Sequence, residues 1–126
     1  MKNGVLVDTS AWIDFFRRRD GSVGDTVADL IERDQAILAG PVMAELLRGV
    51  RGSKEAVQLK TLLGALPYVE VQRPDWEAAG KSLRELRSRG LTLALTDAVI
   101  AAVASRHGLP VLTLDKDFEH LSVALV

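Results

Sequence analysis

The chain has 126 residues, 48% of them hydrophobic and 26% charged, enough for one compact domain over residues 1–126 and the balance of a globular protein. It contains no cysteine, which excludes disulfides, thiolate catalysis and zinc–thiolate sites and fits a reducing compartment. The formal net charge is −1, and no apolar stretch is long enough for a membrane helix; the opening residues do not read as a secretory signal, so a cytoplasmic protein is expected.

Residues 4–7 form a short apolar run that ends at Asp8-Thr9-Ser10, as a buried strand does where it emerges from a sheet. Thr9 or Ser10 is expected to cap the helix that follows through Phe16, and Asp20-Gly21 marks a turn. Val23, Val27, Leu30 and Ile31 recur at helical spacing, and residues 36–39 read as a second buried strand. Pro41 is suited to the first turn of a helix over residues 42–49. Ala56, Leu59, Leu62, Leu63 and Leu66 form another helical stripe. Residues 68–71 have strand character, and Pro74 opens a helix with Trp76, Ala79, Leu83 and Leu86 on one face. Thr96 is the expected N-cap of a helix over residues 97–107 that is apolar nearly all round, as in a helix covered on both sides. Residues 110–113 predict a further strand, then a short helical turn from Asp115 and an edge strand over 123–126. Strands alternating with helical runs predict an α/β fold, a three-layer α/β/α sandwich with a mainly parallel sheet.

Ligands of an open parallel sheet bind outside the carboxyl ends of its strands. Asp8 follows the first strand, Glu45 lies a helical turn beyond the second, Asp97 sits in the first turn of the apolar helix, and Asp115 and Asp117 follow the strand over 110–113. Carboxylates crowded at one rim repel, and a hard divalent cation relieves the repulsion. Mg²⁺ or Mn²⁺ suits an all-oxygen site without Cys or a His pair, and such an ion supports phosphodiester hydrolysis. Thr9, Ser10 and Thr113 are placed to orient these carboxylates. Taken singly, each acid has an ordinary explanation as a strand end, a first-turn residue or an ion pair such as Glu45 with Arg48. If the five share a pocket, the 17 acids less those five leave 12 against 16 Lys and Arg, a cationic excess outside the site that suits a polyanionic ligand.

Four blocks resemble the PIN domain, and more narrowly the VapC toxins of toxin–antitoxin pairs. They are Val5-Leu-Val-Asp-Thr-Ser10, Val42-Met-Ala-Glu-Leu-Leu-Arg-Gly49, Leu95-Thr-Asp-Ala-Val-Ile-Ala-Ala102 and Val111-Leu-Thr-Leu-Asp-Lys-Asp-Phe118. They occur in family order across almost the whole chain, with no departure at the acidic positions. The resemblance implies a Mg²⁺- or Mn²⁺-dependent endoribonuclease that is homodimeric and inhibited by a cognate VapB-type antitoxin. It assigns Asp8, Glu45, Asp97 and Asp115 as catalytic metal ligands, Asp117 as a further ligand, and Thr9, Ser10 and Thr113 as supports. The implied products carry a 5′-phosphate and a 3′-hydroxyl.

Arg48, Arg51 and Lys54 are candidates for contact with RNA or an acidic antitoxin segment. Arg17, Arg18 and Arg19, and separately Arg84, Arg87 and Arg89, read as solvated helix surfaces. His107 and His120 read as surface residues, and Trp12 and Trp76 as core. The rival functions are a PIN nuclease of RNA processing that has no antitoxin and a non-catalytic α/β binding module. A signalling receiver domain fits poorly, because Asp8 is followed by Thr9 and Ser10 rather than a second acid.

Overall fold

The structure, a computed structural model, describes residues 3–17 and 23–126. The predicted turn at Asp20-Gly21 and the cations Arg18 and Arg19 lie outside those residues. Four short strands, β1 (Val5–Val7), β2 (Ala36–Ala39), β3 (Tyr68–Val69) and β4 (Val111–Leu112), form one sheet in the order β3-β2-β1-β4. Every pairing is parallel, with Leu6 opposite both Ile37 and Val111. Every residue of β1 and β2 is buried, as expected where helices cover both faces of a sheet.

Helices α1 (Thr9–Arg17) and α2 (Val23–Glu32) connect β1 to β2, α3 (Gly40–Arg48) and α4 (Ser53–Gly64) connect β2 to β3, and α5 (Arg73–Ser88) and α6 (Leu95–Arg106) connect β3 to β4. The first two crossovers move outward along the sheet and the third returns past β1. Right-handed crossovers therefore place α5 and α6 on the face opposite the first two pairs. The result is the predicted α/β/α sandwich, and the order in which strands are added to the sheet reverses between β1 and β4. That is the position where ligands bind in folds of this kind.

Helix α6 buries Ala98, Val99, Ile100, Ala101, Val103 and Ala104, which is why its sequence lacks a polar face. Trp12 and Phe118 are the largest fully buried side chains. Helices α1 and α2 approach so closely that a Cβ on Gly24 would lie 2.8 Å from the Phe15 Cα, and the Gly24 N–H donates to Asp14 Oδ2 at 2.9 Å. Gly24→Ala must force the two backbones apart. We expect about 1–3 kcal/mol of destabilisation, read as a lower denaturation midpoint with an unchanged slope.

Four details differ from the sequence expectation. The carbonyl of Asp8, not a side chain of Thr9 or Ser10, receives the first helical N–H groups of α1, from Ala11 and Trp12; the two hydroxyls are engaged elsewhere, as described below. Helix α6 begins at Leu95 with Ala94 at the N-cap, so Thr96 lies within the first turn. Trp76 is 51% exposed rather than core. Its neighbour Asp75 takes the inward position with Ala79 and Leu86, where Arg106 clamps it through Nε at 2.7 Å and Nη2 at 2.9 Å. That guanidinium holds the Asp75 carboxyl below its usual pKa, against the opposing effect of burial. The expected edge strand over 123–126 is reduced to a single parallel bridge, Leu125 to Val111, framed by Val111 N–H to Ala124 O and Val126 N–H to Val111 O.

Candidate metal centre

Asp8 leaves the end of β1 with its N–H still in the sheet ladder, donating to Leu112 O at 2.9 Å. The residue is only 4% exposed, and a buried acid needs partners. Ser10 Oγ donates to Asp8 Oδ2 at 2.9 Å and Thr113 Oγ1 donates to the same oxygen at 2.8 Å. Each hydroxyl has one hydrogen, so the 3.2 Å approach of Ser10 Oγ to Thr113 Oγ1 is a consequence of their shared acceptor and not a further bond. The hydroxyl oxygens are themselves fixed by backbone donors, Leu114 N–H to Ser10 Oγ at 2.9 Å and Asp115 N–H to Thr113 Oγ1 at 3.0 Å. Two relays thus converge on Oδ2. Asp8 Oδ1 carries no hydrogen bond from the described residues and remains available to a cation.

Glu45 projects from α3, where Thr9 Oγ1 donates to its Oε1 at 2.9 Å. The alternative ion pair with Arg48 does not occur among the described residues. Asp115 caps the short 3₁₀ turn Lys116–His120, its Oδ1 accepting from the Asp117 N–H at 2.9 Å. This bond turns the chain so that Asp117 joins Asp97 and Asp115. Carboxylate oxygens of these three lie within 4.8 Å of one another, and among the described residues they are the one acidic group so closely spaced.

Asp97 lies at the electrostatic centre. Its pKa is raised to about 7, first by burial and then by the charges of Asp8, Asp115, Glu45 and Asp117. The other four predicted acids thus all act on Asp97, with Asp97, Asp115 and Asp117 as the compact part. Asp8 and Glu45 complete the group, Asp8 oriented by two hydroxyls and Glu45 by one. These carboxylates, from the buried Asp8 to the exposed Asp117, form no Lys or Arg ion pair among the described residues; they make an oxygen-only donor set whose chemistry fits a hard divalent cation.

Arg48 is exposed at the end of α3, and Arg51 and Lys54 are also exposed. None of them lines the groove that opens beside Glu45. That groove, about 700 Å³, runs between α1, α3 and α4 and is lined by Ile13, Phe16, Arg17, Leu46, Leu59 and Leu62. Sequence reasoning missed Ile13 and Phe16, which are 40% and 42% exposed; their three-residue spacing on α1, off the Trp12 face, is the signal that points to them. Arg17, read as a solvated helix end, belongs to this groove.

An acid-lined rim at the reversal point of a parallel α/β/α sandwich defines the class, and residues 5–124 match the PIN domain. The chain belongs to the PIN domain family. It is 33% identical over 119 residues to the VapC ribonuclease Mb1587 of Mycobacterium bovis, an alignment covering 91% of this chain and 89% of that protein. It is 30% identical over 125 residues to Ribonuclease VapC21 of Mycobacterium tuberculosis, covering 97% and 88%. The fold also superposes on a toxin–antitoxin complex from Klebsiella pneumoniae with a TM-score of 0.76 at 21% identity, covering 98% of this chain and 97% of that one.

Proposed function

We propose that this single-domain chain is a Mg²⁺- or Mn²⁺-dependent endoribonuclease, acting as a homodimeric toxin held in check by a cognate VapB-type antitoxin. The observation that carries the reading is the concentration of acids around Asp97, three of them within 4.8 Å, in a chain whose relatives are ribonucleases.

Asp97, Asp115 and Asp117 would hold the cation, with Asp8 Oδ1 and Glu45 completing its surroundings. A bound divalent cation supplies a water of lowered pKa and offsets charge on the scissile phosphoryl group. The protein's own contribution is positional. Ser10 and Thr113 keep Asp8 Oδ2 occupied so that Oδ1 faces the rim, and Thr9 fixes the rotamer of Glu45. The Asp117 N–H holds Asp115 Oδ1 at 2.9 Å, which fixes the Asp115 carboxylate in the cluster. Asp97, whose pKa is raised to about 7, must give up its proton to a cation below neutrality. Water attacks phosphorus and the 3′ oxygen departs, leaving a 5′-phosphate and a 3′-hydroxyl. The groove beside Glu45 gives an antitoxin segment an apolar bed that ends at the acids.

Purified protein should cleave RNA with Mg²⁺ or Mn²⁺ and lose that activity in EDTA. Replacing the 2′-hydroxyl at the scissile position with hydrogen should leave cleavage intact, because that hydroxyl is not the nucleophile. Equal activity in EDTA, or a 2′,3′-cyclic phosphate product, overturns the mechanism.

A further inference from the structure

Helix α5 ends on a glycine cap that shapes a second cavity. Gly90 has φ +84°, and the chain folds back through Gly90 N–H to Arg87 O at 2.9 Å and Leu91 N–H to Leu86 O at 3.0 Å, the Schellman pattern. The reversal lays Leu91, Thr92 and Leu93 beside Leu83, Arg84 and Arg87, bordering an open cavity of about 450 Å³.

Arg84 and Arg87 are three residues apart and share a helix face. The ion pairs among the described residues engage Arg33, Arg73 and Arg106, so neither cavity arginine is neutralised by an acid. Two free guanidiniums beside a hydroxyl and three leucines match a ligand that is anionic at one end and flat and apolar at the other. A nucleotide has that form, with phosphate oxygens for the guanidinium forks and a base for the leucines and the guanidinium planes. The cavity is also close to the acids, since Leu93 and Asp97 are four residues apart, at most about 14 Å of chain. A rim of five carboxylates repels the phosphates that flank a scissile bond, and a strand lying across it needs cations just beyond. An acidic peptide shares the charge but has no use for the leucine walls.

We infer that the Arg84–Arg87–Thr92 cavity is a nucleotide subsite for the RNA strand, taking two successive phosphates, one on each arginine, and a base against Leu83, Leu91 and Leu93. This rests on the ribonuclease reading, but binding can be measured without cleavage. Fluorescence anisotropy with labelled single-stranded RNA in EDTA, at several salt concentrations, reads it directly in the full chain. R84A/R87A should bind about tenfold more weakly. Its plot of log affinity against log salt should be shallower by about 1.4, two phosphate contacts at about 0.7 each. R84K/R87K should keep the wild-type slope while losing affinity, because lysine supplies charge without the planar fork. Should the double alanine variant fail to fold by circular dichroism, R84Q and R87Q singly should each flatten the slope by about 0.7. Unchanged affinity and slope in a folded variant overturn the proposal. So does a loss confined to binding of polyglutamate, which would make the cavity a protein-binding face. RNA binding that depends on the arginines in a protein that never cleaves with Mg²⁺ or Mn²⁺ would leave the subsite standing and remove the nuclease reading.

Discussion

Asp8→Asn should reduce metal-dependent RNA cleavage on the order of 10³-fold while leaving the protein folded. The size follows from losing a charged oxygen at a metal site, several kcal/mol of stabilisation at about 1.4 kcal/mol per tenfold in rate. Asparagine preserves the volume, and its amide oxygen can still accept from Ser10 Oγ and Thr113 Oγ1, which now bond to Asp8 Oδ2 at 2.9 and 2.8 Å. The amide nitrogen then takes the Oδ1 position and presents hydrogens where a cation needs a lone pair. The paired variant Ser10→Ala/Thr113→Val keeps the carboxylate and removes its orientation. It should lose about 10–100-fold, the range for outer partners of metal ligands. Single-turnover cleavage at saturating Mg²⁺ separates the two effects. An Asp8→Asn protein with near-wild-type rates would exclude Asp8 from the metal site.

Cation binding should depend steeply on pH below neutrality. Asp97 has a pKa of about 7 in the metal-free fold because of burial and the surrounding carboxylates, so a cation must displace its proton at lower pH. The apparent affinity for Mn²⁺ should rise about tenfold per pH unit up to about pH 7 and then level, with proton release on binding. Isothermal titration calorimetry in buffers of different ionisation heat measures both. The same shift gives a stability trend of definite sign. The folded-state pKa lies above the unfolded value of 3.8, so between those limits the native state binds more protons than the unfolded state. Metal-free protein therefore loses stability from this group as the pH rises from about 4 to about 7, and the loss is complete above that. Asp97→Asn should flatten this trend in thermal melts. A Mn²⁺ affinity that is constant between pH 5 and 8 would contradict the assignment of Asp97 as the shared centre of the cluster.

The layer architecture was legible because its causes are local. Uniformly apolar runs such as Val5-Leu-Val7 and Ala36-Ile-Leu-Ala39 belong to strands covered on both faces, and α6 lacks a polar face because it too is covered. The acids could be placed for the same reason, since Asp8, Asp97, Asp115 and Asp117 stand at or next to the ends of elements, Glu45 lies little more than a turn into α3, and parallel pairing gathers those ends. Less legible was whatever depends on pairing between distant segments. Trp76 looked like core on helical spacing, but Arg106, 31 residues from Asp75, pairs with that acid and turns the inward face by one residue. Thr9 and Ser10 looked like caps because hydroxyls at a helix start usually serve that purpose. Here Glu45 and Asp8 take both hydroxyls. Asp117 was placed second to Asp115, yet the 3₁₀ turn brings it into the compact group. The groove on α1 needed the packing of α3 and α4 to become visible.

The hydrogen bond from Thr113 to Asp8 joins residues 105 apart in sequence, which places assembly of the acid site late in synthesis. β4 must pair with β1 before Asp8 acquires its orientation, and Asp115 and Asp117 emerge from the ribosome only after all three helical crossovers have been made. Long-range pairing of this sort is slow to form relative to local helices, and a chain grows at about 5–20 residues per second. A nascent chain shorter than 115 residues thus has a partial sheet and no gathered cluster of carboxylates. On the ribonuclease reading proposed above, this order keeps the translating ribosome and its message apart from an active product until Asp115 and Asp117 have been made and folded into place.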